Sequence, residues 1–387
     1  MDIITAILIL LASGIIAGRV SNKFGIPEVA GQLLVGFILG RAVLGFVVPS
    51  QSLTSIADIA LFFIILLLGI EATYKTLTSN PSESTVLSFG SFVIPVIVMA
   101  AISYFVFGFN VVQSIVVSMG VGVPSISIVS VLLRHYSLIG TEDGDKILSS
   151  VVISDILAFT TLAILYKSTN IMNIFFLVAT LLIFIVIMLI IARLLRRHYK
   201  FVRKFFQSLS KRRDGEGLIF AIVILLGLGI ASILQLIGVT FVLGAFFAGM
   251  ILEEFVVGKK VFGTLTRTFK RLDDSFFIPV FFTIAGAAAT LPSLGGITVL
   301  IVLTAASAIF STALVSFFGV EVFRKMKASS AMSILGGRGA VGVVIGSIAF
   351  AGGLIDASVY SIIILGTLIL AVFFSVFFKP KAKRGSK

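Results

Sequence analysis

Thirteen stretches of this chain are apolar and long enough to cross a hydrocarbon core, which takes about 20 residues. They run over 2–19, 27–48, 56–73, 84–109, 111–134, 146–166, 172–195, 217–237, 238–254, 275–292, 296–319, 328–351 and 356–378. In lipid every backbone polar group must be satisfied internally, so spans of this length are predicted to be helices. Only 12% of the 387 residues are charged, against about 25% in a soluble domain. Lipid is therefore the solvent for most of the surface. The loops are short, so no soluble nucleotide-binding regulatory domain is expected within them. Met1-Asp2 leads directly into apolar sequence with no basic n-region, which predicts a permanent first span rather than a cleaved signal.

The net charge of +13 raises the question of nucleic acid. The basic residues sit between apolar spans, where they act as topology signals beside the cytoplasmic leaflet. With the N-terminus outside, the loops after spans 1, 3, 5, 7, 9, 11 and 13 face the cytoplasm and hold 27 of the 30 Lys and Arg residues. The exceptions are Arg41, Lys167 and Arg338. The loop after span 7 alone has nine: Arg193, Arg196, Arg197, Lys200, Arg203, Lys204, Lys211, Arg212 and Arg213. The basic tail from Lys379 then lies in the cytoplasm too. Cysteine is absent, which excludes disulfides and thiolate metal sites. Tryptophan is absent as well, so interfacial anchoring falls to Tyr and Phe.

Two spans are interrupted at matching places. Span 5 carries Gly120, Gly122 and Pro124, and span 12 carries Gly336, Gly337 and Gly339. Each is the fifth member of a set of six, spans 1–6 and 8–13, with span 7 as a linker. An odd linker turns the second set over, which predicts an inverted repeat. The expected divisions are 1–171 for the first repeat, 172–216 for the linker and basic loop, 217–378 for the second repeat and 379–387 for the tail. Broken helices at equivalent positions of inverted halves mark a transporter's binding site. The bland reading is that these glycines only permit close helix packing.

Asp155 lies about halfway along span 6, where a carboxylate costs roughly 2.5–3.5 kcal/mol on insertion scales. An acid kept at that depth pairs, faces a cavity or does chemistry. One carboxylate holds either a proton or a cation, never both, and that competition is enough for coupled exchange. The bland alternative is a structural pair with Arg338. Oxygen ligands suit a hard monovalent cation. They are expected from the Val123 and Pro124 carbonyls, the Ser125 hydroxyl and, from the side, Ser154. Arg338, at the second interruption, is expected to balance the carbonyl ends of the half-helices. Glu71, at the cytoplasmic end of span 3, reads equally as a funnel residue or an interface charge. Asp58, His135 and His198 are expected to be solvated.

At these residues the chain resembles the cation:proton antiporter superfamily, especially the bacterial and archaeal sodium/proton antiporter and potassium-efflux branch. The resemblance covers nearly the whole chain. It rests on GIPEVAGQLLVGFILG (25–40), LLLGIEA (66–72), FVLGAFFAGMIL (241–252), IPVFFTIAG (278–286) and GGRGAVG (336–342). It implies about thirteen helices, a mobile core domain, a dimerising domain, a homodimer and an elevator movement. Departures matter. Arg41 stands where a proline often follows. Ser154 stands where the family has Asp or Asn before its core acid, and Pro124 where many members have Thr. Residues 296–319 hold no basic residue, and Ser311 lies near the place of the lysine that voltage-sensitive members carry. The GGRGAVG segment looks like the arginine motif of the largely electroneutral branch.

Together these features predict an all-α polytopic membrane protein that exchanges Na+ for protons electroneutrally, with K+ and Li+ left open. The transported ion would sit at Asp155. No cofactor is expected, and no phosphate loop, metal cluster or nucleophile triad suggests an enzyme. The competing readings are a sodium-coupled symporter of an organic solute, which needs a second polar pocket, and a non-transporting receptor or scaffold. A channel would need a carbonyl filter, and no such loop is present.

Overall fold

The computed structural model describes residues 2–71, 81–125, 129, 133, 138, 141–166, 190–191, 193–236, 240–322 and 337–377, with backbone alone at 81, 166, 311, 314–316, 318–322 and 377. Among the described residues the chain is helical, with no β-strand. Six helices among those residues are long and apolar enough to cross a membrane: Ile3–Lys23, Gln51–Glu71, Ser82–Phe105, Glu142–Leu165, Gly215–Leu236 and Ala357–Val376. Shorter apolar helices accompany them. Span 7 lies almost wholly outside the described residues. So do Lys167, His135, Gly336, the tail, most of the second half of span 5 and the first half of span 12.

The helices in order are α1 (Ile3–Lys23), α2 (Glu28–Leu39), α3 (Gln51–Glu71), α4 (Pro81–Ser88), α5 (Ile94–Phe105), α6 (Val111–Gly122), α7 (Glu142–Tyr166), α8 (Tyr199–Ser210), α9 (Gly215–Leu236), α10 (Phe241–Ile251), α11 (Glu254–Val257), α12 (Lys259–Leu272), α13 (Ile278–Ala288), α14 (Leu294–Val322), α15 (Ala340–Ala351) and α16 (Ala357–Phe377). A π-turn at Phe89–Val93 joins α4 to α5, and another at Asp273–Phe277 leads into α13. Caps set several starts. Asp2 accepts from the Thr5 N–H, and Asn110 accepts from the Gln113 N–H at 2.8 Å, each satisfying a donor that the first turn leaves open. The second span is shorter than expected, because α2 stops at Leu39 and Gly40.

The chain divides into two compact units. One holds residues 1–54, 79–158 and 282–387. Within it α1 packs on α2, α6 on α15 and α16, and α14 on α16. The other holds residues 55–78 and 159–281, where α9 packs on α10 and α8 on α11 and α12.

Both units use the same device to bring backbones together. In the first, a Cβ at Gly36 would strike the Thr283 carbonyl, and one at Gly286 would strike the Leu33 carbonyl. In the second, Gly69 faces the Phe246 carbonyl and Gly249 faces the Leu66 carbonyl. Without side chains at these four positions, two helix pairs approach to backbone contact, and dispersion contacts replace a hydrophobic drive that lipid does not supply.

Candidate functional site

The two interruptions meet. Helix α6 ends at Val123, whose ψ of 125° takes the chain into extended backbone. Pro124 then forms an isolated antiparallel bridge with Arg338, and the Ser125 N–H donates to the Gly337 carbonyl at 2.9 Å. Helix α15 starts just beyond, at Ala340. The half-helices also touch directly, since a Cβ at Gly342 would collide with the Gly120 carbonyl. Close packing is therefore part of what these glycines do, as the bland reading held. The same stretch also exposes irregular backbone inside the protein, which close packing alone does not require.

Two carbonyls near the end of α6 accept from side chains of other helices. Ser307 donates to the Val121 carbonyl at 2.7 Å, and Thr367 donates to the Gly120 carbonyl at 3.4 Å. Val123, Ser125 and Arg338 are wholly buried.

Arg338 reaches into the first unit's π-turn. Its Nη2 donates to the Ser91 carbonyl at 3.0 Å. That carbonyl is open for a reason visible in the sequence. In a regular helix it would accept from the residue four places on, and that residue is Pro95, which has no N–H. The π-turn and the proline thus leave an acceptor that a buried guanidinium fills.

Asp155 sits on α7 with no exposed surface. Neither carboxylate oxygen accepts a hydrogen bond among the described residues, and no ion pair joins it to Arg338. The structural pair considered as an alternative is not formed. Beside the acid, Ser154 donates to the Ser150 carbonyl at 2.9 Å and shares a 2.9 Å hydrogen bond with Ser88. A hydroxyl has one proton. With that proton on Ser150, Ser88 must be the donor to Ser154, and Ser154 offers neighbours only lone pairs. Ser88 and Ser91 are three residues apart, about 4.5 Å along a helix. One segment therefore ties the acid-bearing helix to the interrupted pair.

Glu71 ends α3 and is exposed. It acts electrostatically on Asp273, a buried aspartate that the sequence reading passed over as part of a loop. Burial, then the neighbouring Asp274 and Glu71, push the Asp273 carboxyl up to about 8. Lys146, the first residue of the expected span 6, lies one turn inside α7 because that helix begins at Glu142; it pairs with Glu83 at 2.6 Å and Glu142 at 3.0 Å. Asp58 and His198 are exposed, as expected. The side chain of Ser311 is not described. Sequence reasoning missed Ser88, Ser91, Ser307 and Thr367, for which the only signal was polarity in an apolar helix. Pro95 was the readable one, as a proline inside a span.

Comparison with known proteins identifies the scaffold. The sodium/hydrogen exchanger, transmembrane, family profile matches residues 7–384. The chain belongs to the sodium/hydrogen exchanger family. It is a multi-pass membrane protein of a transporter family, not an enzyme. The chain is 26% identical to the Na(+)/H(+) antiporter of Enterococcus hirae, over 98% of this chain and 99% of that one. It is 25% identical to the Na(+)/H(+)-K(+) antiporter GerN of Bacillus cereus, over 98% of each. The fold matches the sodium proton antiporter MjNhaP1 from Methanocaldococcus jannaschii at pH 8, with a TM-score of 0.69, 16% identity and 98% of each chain covered. The exchanger fold is thus the fold of this chain.

Proposed function

We propose that this exchanger swaps Na+ for protons, with Asp155 holding each in turn. The observation that carries the proposal is a wholly buried carboxylate with no hydrogen bond and no counter-ion among the described residues. An isolated charge at that depth is too costly to persist. A proton neutralises it, and so does a bound cation. The site is then always occupied by one of the two, which is the coupling rule of an exchanger. The Val123 and Pro124 carbonyls, the Ser125 hydroxyl and the lone pairs of Ser154 are the proposed oxygen ligands. Arg338 balances charge at the interruptions without touching the ion, in keeping with its bond to Ser91.

Exchange is electroneutral in this reading. The site is neutral with a proton and neutral with a monovalent cation, and 296–319 adds no basic residue. The names of the relatives support Na+, and that of GerN adds K+ as the second cation to test. Alternating access, the N-out orientation in the cell membrane and a homodimer belong to the same proposal. The inverted repeat is supported by the glycine contacts. Span 2 meets span 10 and span 3 meets span 9, which is the exchange of partners that a two-fold relation between 1–6 and 8–13 requires.

Everted vesicles carrying a pH dye test this directly. Adding Na+ should dequench the dye for the wild-type protein and not for Asp155→Asn inserted at equal level. K+ and Li+ added in turn give the cation preference. Retained exchange in Asp155→Asn would defeat the mechanism. A membrane current that reverses with the exchange gradient would defeat electroneutrality alone.

A further inference from the structure

Two helices of the second unit lie outside the apolar spans, and both are basic and amphipathic: α8 (Tyr199–Ser210) and α12 (Lys259–Leu272). They differ in what covers their apolar faces. On α12, Val261, Leu265 and Phe269 are buried, and the Phe269 ring packs against Phe220 at 4.5 Å and Phe63 at 6.3 Å. The protein itself fills that face.

On α8 the protein covers only half. At about 100° per residue, Phe201, Val202, Phe205, Phe206 and Leu209 occupy an arc of about 140°. Phe206 and Leu209 are buried against neighbouring helices, but Phe201 is 77% exposed and Phe205 48%. Two aromatic rings at an apolar edge of a helix outside the spans need an apolar medium. The edge beside Phe201 carries Lys200 and Lys204, with Lys211 at the cap. All three are exposed and make no ion pair among the described residues. Arg203 lies on the opposite edge, next to Gly258, and Arg196 is paired with Glu253 at 2.8 Å. From Arg193 to Arg213 the chain has nine basic residues and no acidic one.

We infer that α8 lies in the membrane surface as a binding site for anionic phospholipid, with Phe201 and Phe205 among the upper acyl chains and Lys200, Lys204 and Lys211 on the headgroup phosphates. Aromatic residues on one face and basic residues at its edge are the pattern of an interfacial helix. Charge complementarity selects the lipid. A lysine near an anionic surface contributes about 1 kcal/mol, or about fivefold in local association.

The absence of tryptophan makes the test clean, because Phe201→Trp gives the full chain a single tryptophan. The variant is reconstituted with lipids brominated on the upper acyl chain, either phosphatidylglycerol or phosphatidylcholine at the same fraction. Both should quench the emission, and brominated phosphatidylglycerol should act about fivefold more effectively. Lys200→Gln, Lys204→Gln and Lys211→Gln together on the same background should bring the two lipids to parity while quenching persists. Phe205→Trp is the second probe and should behave alike. Emission untouched by either lipid would place the face against water or a protein partner and overturn the inference. Equal quenching by both lipids before the lysines are changed would overturn the headgroup site.

Discussion

Asp155 and Asp273 are both buried aspartates whose oxygens have no hydrogen-bond partner among the described residues. What surrounds them differs. Asp155 follows Ser154, whose hydroxyl is bonded to Ser88 and to the Ser150 carbonyl, and among the described residues no second acid acts on it. Asp273 feels two more carboxylates, Asp274 and Glu71, at the end of α3 and just ahead of the tenth span. Under the proposed mechanism, burial alone does not make an ion site. An acid with neutral oxygens around it can trade a proton for a cation, whereas an acid among acids is held protonated by its neighbours as well as by burial.

The largest expected effect separates the two at once. Asp155→Asn should abolish cation-driven proton movement in vesicles, and Asp273→Asn should leave it measurable at neutral pH. Equal loss in both would erase the distinction. Next is Arg338→Ala, which leaves the buried Ser91 carbonyl without its donor and opens a cavity at the interruptions. The lost bond alone costs about 1–3 kcal/mol. A fall in melting temperature of the detergent-solubilised protein checks it, and an unchanged midpoint would mean the guanidinium supports nothing.

Asp273 gives a signed pH prediction. Its proton stays on to about pH 8 in the folded protein but leaves near 4 in the unfolded chain. Between those values the folded state binds more protons, so its stability falls as pH rises and levels off above about 8. Asp273→Asn removes that loss. The variant should gain in melting temperature over wild type progressively from pH 5 to about 8 and hold that gain above it, and parallel curves would refute the shift. The smallest effect is at the serine pair. Ser88→Ala and Ser154→Ala should each cost about 1 kcal/mol, and the double variant less than the sum, because both remove one bond. Full additivity would show that the bond seen between them carries no energy.

The contrast between the two acids also marks how far the sequence could be read. Asp155 and Arg338 stood out because charge inside an apolar span is expensive. The interruptions stood out because Gly and Pro break helices. Ser88, Ser307 and Thr367 did not, because serine and threonine are ordinary in membrane helices, and which carbonyl or hydroxyl each one meets depends on how helices are rotated against each other. Pro95 was visible, yet the donor that its missing N–H invites comes from residue 338, far along the chain. Asp273 escaped notice because it follows a basic stretch that reads as solvated loop. Four resemblance segments were legible one by one; that they pair as 25–40 with 278–286 and 66–72 with 241–252 was not.

The bare contact between Gly342 and the Gly120 carbonyl has a mechanical meaning. With no side chain as a cushion, neither half-helix can slide along the other without backbone striking backbone. Together with the Pro124–Arg338 bridge, this makes the crossing behave like a riveted joint. Under the proposed mechanism, any displacement that carries the proposed oxygen ligands carries both arms of the crossing as one stiff piece, so flexing occurs elsewhere in the chain.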